Sequence, residues 1–554
     1  MKRTVRSLLC LLLVMFILVG CTPAGDDTTT TEPTTTETPV DPMVEFEERL
    51  ASYAQLGTSP DDNYRTWYEI FVYSYCDSNN DGIGDLNGVR SKLDELEALG
   101  VNGIWLMPIH PSSSYHKYDV NDYYSIDPTY GTMTDFEGLL AECKERDIKV
   151  IMDLVVNHSG TQVEWFQMAT EYLRGLMWGD IPSEEDCEYY GYYNFSMEAK
   201  SGYTRVPSTE FYYESQFSSG MPDLNLANEK LRAEIANIMK YWMDMGVSGF
   251  RVDAAKEFYT GQVDKNVEVL NWLQTTATSI NPDAYMVAEV WDDFGTMTQY
   301  YKSGFTSIFN YPFGNSGGKI IMTIRNVDNP NMVPTYAQAL QMANESYSAN
   351  NPDYIDAPFL SNHDVGRIFG FASSDINKIK LAGAMNVFMS GSVFIYYGEE
   401  IAMPGSGNDP SKRAPMYWNA ERNNGTTNPP PDCTLPAEYP MGSLAEQKND
   451  PNSVYNFYRE IIAIRSALPV ISHGVTTAET ALNVGCISAQ RKTWDDQECL
   501  ILMNVSTEAA QVDLSDYADW DLTVGLSIDG NPVTLDGTTL NMSAYGIAIL
   551  LPKK

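Results

Sequence analysis

From residue 67 onward, short apolar runs alternate with longer amphipathic stretches. The runs at 67–75, 101–108, 149–156, 247–253, 285–290, 307–311, 357–361 and 392–397 read as strands. Stretches between them, such as 135–146, 229–245 and 376–389, read as helices. Strand followed by helix, repeated in this way, predicts an α/β fold, a (β/α)8 TIM barrel. Such a barrel does its chemistry at the strands' C-terminal ends. The candidate catalytic residues all fall there.

One connection breaks the rhythm. After the third run, 159–221 is far longer than a βα loop needs. It is dense in aromatics, including Tyr189-Tyr190, Tyr192-Tyr193 and Phe211-Tyr212-Tyr213. This predicts an inserted domain over 159–222 that overhangs the cleft, with half of its aromatics forming its own core. The barrel then occupies 45–158 and 223–468. A short helix at 43–56 precedes it and a closing helix lies at 452–468. Beyond this the pattern changes to short strands at 485–491, 499–505, 510–513, 522–528 and 545–551. They predict a C-terminal antiparallel β-sandwich over 469–554. No internal repeat is evident.

The N-terminus carries a different signal. Lys2, Arg3 and Arg6 precede an apolar run, 8–19, too short to span a membrane stably. It ends in Leu18-Val19-Gly20-Cys21, which resembles the bacterial lipobox. The resemblance implies a signal peptide over 1–20 and a lipid on Cys21. Residues 21–44 form a Thr- and Pro-rich tether that cannot bury a core. The expected location is the extracellular face of the cell membrane, with the lipid as the one membrane contact. The net charge of −38 repels nucleic acid and anionic bilayers. Cys76, Cys143, Cys187, Cys433, Cys486 and Cys499 show no metal-binding spacing and are too scattered to predict disulfides. A monomer is expected.

The chemistry gathers around Gly249-Phe250-Arg251-Val252-Asp253-Ala254-Ala255-Lys256. On a strand Arg251 and Asp253 share a face. A guanidinium beside a carboxylate keeps it ionised, as a nucleophile requires. Four further stretches join it. Asp153-Leu154-Val155-Val156-Asn157-His158 ends the third strand, and Val287-Ala288-Glu289-Val290-Trp291 ends the fifth. Phe359-Leu360-Ser361-Asn362-His363-Asp364 ends the seventh, and Met221-Pro222-Asp223-Leu224-Asn225 leaves the inserted domain. In this order they resemble the α-amylase family of retaining glycoside hydrolases (family 13), over residues 65–554.

Cleaving a glycosidic bond needs an acid to protonate the leaving oxygen and a carboxylate to trap the cationic sugar. Asp253 and Glu289 end neighbouring strands, near the ~5 Å separation that predicts retention. The resemblance implies that Asp253 is the nucleophile, Glu289 the general acid/base and Asp364 the carboxylate that holds the sugar's hydroxyls. The apolar neighbours Val287, Ala288, Val290 and Trp291 favour the protonated form of Glu289. It further implies that His158 and His363 bond the sugar being cleaved. Tyr118, in Tyr115-His116-Lys117-Tyr118-Asp119, would stack on its ring with His116 beside it. Arg251, Lys256 and Arg367 complete the expected substrate contacts. Lys117 stands where the family usually has Gly, so its side chain is expected to narrow the cleft rim.

Asp77-Ser78-Asn79-Asn80-Asp81-Gly82-Ile83-Gly84-Asp85 alternates oxygen donors around a glycine turn, as a Ca²⁺ loop does. Gly88 stands where an EF-hand needs Glu, and a strand precedes the loop. It resembles instead the calcium loop after the first strand in some members of this family. The implied ligands are Asp77, Asn79, Asp81, the Ile83 carbonyl and Asp85. Asn157 resembles a second calcium position, although Glu257 replaces the usual His after Lys256. Ala254 after the nucleophile looks amylase-like. Met221 to Asn225 resembles a group between oligo-1,6-glucosidases and neopullulanases, and Arg413-Ala414-Pro415-Met416-Tyr417-Trp418 resembles the oligo-1,6-glucosidase side. Hydrolysis of α-1,4 bonds in starch and maltooligosaccharides is the leading expectation. An α-glucosidase, neopullulanase or transglycosylase on short α-glucans is the alternative. A binding-only lipoprotein is disfavoured because all three carboxylates are present.

Two lipid chains anchor stably where one does not. A Cys21→Ala variant is therefore expected in the medium or as unprocessed precursor, with unchanged activity once purified. Fractionation of washed cells checks this; undiminished retention on the cells would refute the anchor.

Overall fold

The computed structural model describes residues 41–553. The signal peptide, Cys21 and the tether through residue 40 lie outside the described residues. Among the described residues no helix is long and apolar enough to cross a membrane.

Barrel strands 1 to 6 are Thr66–Ile70, Gly103–Leu106, Lys149–Leu154, Gly249–Val252, Tyr285–Ala288 and Ser307–Ile308, and strand 8 is Val393–Tyr396. They pair in parallel in that order, with strand 8 beside strand 1. The seventh position, expected as a full strand at 357–361, is reduced to single parallel bridges, Phe309 to Ala357 and Phe359 to Phe394. Pro358 explains the shortfall, because it has no N–H for a ladder. Its carbonyl still accepts from the Phe394 amide at 2.8 Å. These bridges complete the (β/α)8 ring.

Inside the ring, Trp67, Trp105, Tyr285, Phe309, Phe359 and Phe394 form a buried apolar plug. The polar residues of the strand ends stand above it. Gly249 fits this geometry for a specific reason. Its φ is +149°, and a Cβ there would lie 1.9 Å from the Tyr285 carbonyl oxygen. Strand 4 therefore sits close against strand 5, with Arg251 level with Asp153 on strand 3.

The predicted helices form where their caps allow. Met133–Glu145 starts at a Thr132/Asp135 capping box. Glu229–Asp244 starts where Asn228 accepts from the Lys230 and Leu231 amides. The N-terminal helix Pro42–Tyr53 docks on the closing helix Val454–Ala467, where Glu460 accepts from Arg49 at 2.7 Å and Tyr53 at 2.8 Å.

The inserted segment holds the helix Glu164–Gly175 and a small sheet of Phe195–Ser196, Tyr203–Arg205 and Tyr212–Glu214. Tyr192, Tyr193, Phe211 and Tyr213 are buried in it, as its expected core, while Phe217 stays half-exposed. The C-terminal region is a five-stranded and a three-stranded antiparallel sheet enclosing Leu500, Leu502, Leu540 and Leu550. The six cysteines of the described residues are unpaired.

Candidate active site

Strand 4 delivers Arg251 into the mouth of the barrel with no solvent exposure. Its Nη1 donates to Asp153 Oδ1 at 2.5 Å and to Asp253 Oδ1 at 2.6 Å. Its Nη2 donates to Glu289 Oε2 at 2.7 Å. Burial alone would discharge this guanidinium, but Asp153, Tyr118, Glu289 and Asp253 hold it firmly protonated. Asp153 also accepts from Trp105 Nε1 at 2.9 Å.

Glu289 Oε2 accepts a second bond, from the Ala254 amide at 3.0 Å. Its proton therefore belongs on Oε1, the oxygen left free for another group. Burial raises the Glu289 carboxyl, Arg251 opposes, and Asp253 and Asp364 add to the rise, to about 7. The result is a carboxylic acid near neutral pH beside an arginine-paired carboxylate. One guanidinium thus holds two carboxyls side by side, as double displacement at a glycosidic carbon requires.

A second cluster faces this one from strands 1, 7 and 8. His363 Nδ1 bonds Glu69 Oε1 at 2.6 Å, and Nε2 bonds Asp364 Oδ2 at 2.9 Å. Burial alone would lower this histidine, but Asp364 and Glu69 on its two sides raise it to about 9. It is an imidazolium donating from both nitrogens. Arg413 holds Asp364 from the other side, with Nη2 to Oδ1 at 2.8 Å and Nε to the His363 carbonyl at 3.1 Å. Burial would raise Asp364, but His363, Arg413 and Arg251 keep it far below the usual carboxylate range. It stays ionised and fixed, an acceptor for hydroxyl groups.

Other expected contacts surround these. Tyr118 stacks on His363 with centroids 5.5 Å apart, and its hydroxyl lies 2.8 Å from His363 Nε2. His158 is buried with Nε2 unpartnered. Burial lowers its ring below the ordinary histidine range, and the charge of Asp253 opposes this. An unpartnered buried nitrogen in the cleft is suited to a ligand hydroxyl. His116 Nδ1 accepts from the Tyr118 amide at 3.2 Å, which leaves Nε2 to carry the proton.

Several expectations need correction. Arg367 is buried behind the site, with Nε on the Lys412 carbonyl at 3.0 Å and its guanidinium against Tyr396 and Tyr397. It braces the loop from strand 8 and does not face a ligand. Arg251 commits both terminal nitrogens to carboxyl groups and so organises the site. Lys256 reaches the Trp291 carbonyl at 2.8 Å and fixes the loop after strand 5. Lys117 does not narrow the rim. It adopts φ +64°, the backbone its glycine-like position demands, and buries its ammonium on Asp127 at 2.7 Å.

The sequence reading did not assign Glu69, Asp153, Arg413 or Asp223. Glu69 is a lone acid in an apolar strand, Asp153 and Asp223 lie in stretches that carry the family resemblance without being given a role, and Arg413 lies in a stretch read only for subgroup. Asp223 Oδ1 is buried without a partner. Burial raises this carboxyl to about 7, Glu214 and Glu257 adding to the rise. The Asp223 strand segment bridges to His158 next to Asn157.

The loop 77–85 is built from Asx turns. Asp77 accepts from the amides of Asn79, Asn80 and Gly82, and Asn79 and Asp81 accept from those two residues on. Asn80 and Gly82 supply the positive φ the turn needs. Asp85 caps the helix Leu86–Arg90 and accepts from Ser78. Among the described residues no three His, Cys, Asp or Glu side chains converge as a metal cluster by themselves. Any cation here would draw on Asn79 and the Ile83 carbonyl as well.

Comparison with known proteins agrees with this geometry. Residues 69–474 match the family described as alpha amylase, catalytic domain. Alpha-amylase 3 of Dictyoglomus thermophilum is 37% identical over 448 residues, covering 79% of this chain and 84% of that protein. The glucan 1,6-alpha-glucosidase of Streptococcus pneumoniae is 30% identical over 460 residues, covering 72% and 83%. Among solved structures, Eubacterium rectale Amy13B superposes with a TM-score of 0.87 at 39% identity, covering 91% of this chain and 98% of that one.

An acid role for Glu289 would carry a pH signature. Its acid form persists up to about pH 7 and is lost as pH rises beyond it. Activity is expected to fall on that alkaline side. Glu289→Gln keeps the shape but removes the proton donor, so kcat should fall by roughly 10²–10⁴ and the alkaline limb should vanish. A pH–rate profile of both proteins checks this.

Proposed function

Because the chain belongs to the α-amylase family of glycoside hydrolases and so acts on α-glucans, we propose that it hydrolyses α-1,4 bonds in starch and maltooligosaccharides with retention. The observation that carries this reading is the single Arg251 guanidinium shared by Asp253 and Glu289. Glu289 protonates the glycosidic oxygen from Oε1 while Asp253 attacks the anomeric carbon. The glycosyl–Asp253 ester then yields to water deprotonated by Glu289. Asp364, held ionised, accepts from the sugar's hydroxyls, and the unpartnered His158 Nε2 is available to the same ring.

One observation favours the alternative of short substrates. Arg413 Nη1 donates to the Tyr115 hydroxyl at 3.2 Å, a side-chain bridge beside Asp364. The Met221 to Asn225 and Arg413 to Trp418 stretches support a place between oligo-1,6-glucosidases and neopullulanases. The lipobox at Cys21 supports a lipid-anchored enzyme on the cell's outer face, where polymeric substrate is met.

The oxygen donors of 77–85 fit a hard cation such as Ca²⁺, held by Asp77, Asn79, Asp81, the Ile83 carbonyl and Asp85. The unpartnered Asp223 Oδ1 beside Asn157 fits a second cation between barrel and inserted domain. A bound cation would supply fixed positive charge to these loops.

Early products from starch, pullulan and isomaltose, separated by chromatography, test the substrate. Maltooligosaccharides of mixed length from starch are expected; glucose alone would favour the exo-acting alternative, and no starch hydrolysis would refute the reading. For the cation, Ca²⁺ at a hundredfold excess over Kd adds about 2.7 kcal/mol of stability. Chelation should therefore lower the melting temperature, and Asp81→Ala should blunt that drop. An unchanged melt with no calcium by elemental analysis would leave 77–85 a plain turn.

A further inference from the structure

The apolar plug beneath the candidate active site has a second side. There, where strands 1, 3 and 5 begin, the barrel opens into a hollow of about 320 Å³. Trp67, Tyr285 and Arg65 form its deep wall, and Asp61, Lys149 and Asp283 stand at its rim. A barrel of this kind does its chemistry at the opposite end, and the ordinary expectation for this end is packing alone.

The deep wall is not finished as packing alone would finish it. Trp67 and Arg65 are at most 2% exposed, yet Trp67 Nε1 and Arg65 Nε have no hydrogen-bond partner. The buried Tyr285 hydroxyl and the nearby Ser307 Oγ complete no bond either. The other nitrogens of Arg65 are committed. Nη1 donates to the Asn102 and Asp147 carbonyls at 3.1 and 3.2 Å, and Nη2 donates to Asp61. Trp67 is held by its stack on Tyr285, with centroids 5.0 Å apart and planes at 16°. Buried donors left unpaired are costly, so a hydrogen-bonding guest belongs in this hollow. Its lining selects the guest. The wall offers N–H and O–H donors, whereas the rim carboxylates of Asp61 and Asp283 only accept. An anion would suit the wall and be repelled at the rim, and a cation would meet the reverse. A hydroxyl group gives and takes, so a neutral polyhydroxy molecule suits both. The volume stands at the lower end of small-molecule pockets, about 300–1,000 Å³, which is the scale of a single sugar ring.

We propose that this hollow is a second sugar site, which takes one monosaccharide at the base of the barrel. The sugar's oxygens accept from Trp67 Nε1, Arg65 Nε and the Tyr285 hydroxyl, and its hydroxyls donate to Asp61 and Asp283. The apolar plug separates this site from Asp253 and Glu289, so the bound sugar leaves the cleft open. The proposal goes beyond the reading of the cleft and holds whichever bond the cleft cuts. A sugar here ties together the starts of strands 1, 3 and 5 and stabilises the folded barrel by mass action.

The test is equilibrium dialysis with labelled glucose. Asp364→Ala serves as the background, because it removes the carboxylate assigned to hold sugar in the cleft. This protein should still bind one glucose per chain. Adding Asp283→Ala or Tyr285→Phe should weaken that binding about tenfold, the cost of one lost hydrogen bond to a buried guest. Asp283 is exposed, so Asp283→Ala keeps the test open even if Tyr285→Phe disturbs the plug. Asp283→Ala alone should leave starch hydrolysis unchanged. No glucose bound by Asp364→Ala would overturn the proposal and leave the hollow to water. Glucose binding that neither added variant weakens would overturn it too, by placing the sugar elsewhere. Displacement of the glucose by inorganic phosphate would overturn the choice of a neutral guest.

Discussion

The site depends on one buried cation. Arg251 has no exposure to water and three carboxylates around it, Asp153, Asp253 and Glu289. A charge in that position without partners would cost several kcal/mol. The same holds in reverse for the acids, which the barrel's apolar plug would otherwise force to protonate. The guanidinium is planar and presents donors in two directions. It can therefore hold Asp253 and Glu289 at fixed positions on its two terminal nitrogens.

Around it lies a second layer that no single strand supplies. Glu69 from strand 1 charges His363 from strand 7, and Arg413 from the loop after strand 8 clamps Asp364. That long loop is tied back to the turn after strand 1. Ser74 Oγ donates to the Arg413 carbonyl at 2.6 Å, the Met416 amide to the Ser74 carbonyl at 2.9 Å, and Trp418 Nε1 to the Tyr75 carbonyl at 2.6 Å. The same segment meets the 77–85 loop, where the Asp77 amide donates to the Gly425 carbonyl. The proposed cation loop and the Asp364 carboxylate thus share a support. Asp364 is fixed by residues far apart in the chain.

Alternate charges explain why two clusters coexist in one cleft. Around Arg251, carboxylates outnumber the cation, and Glu289 responds by keeping its proton to about pH 7. Around Asp364, His363 and Arg413 outnumber the carboxylate, and it stays ionised. One acid form and one anion form arise from the same residue chemistry through their neighbours.

Read alone, the sequence pointed to the barrel, its insertion and the C-terminal sheets, and through its resemblance to the α-amylase family it singled out Asp253, Glu289 and Asp364 as the carboxylates proposed to react. The architecture follows from local signals: apolar runs of strand length and a connection too long for a loop. Tertiary structure decided what the side chains do. Lys117 looks like a rim residue in sequence, yet its positive φ and the position of Asp127 turn it inward. Arg367 looks like a ligand contact three residues from Asp364, yet the loop after strand 8 covers it. Glu69, Asp153 and Arg413 carry no sign of their partners, which lie 294, 98 and 49 residues away. Periodicity is a property of neighbours along the chain, whereas desolvation and charge pairing belong to neighbours in space.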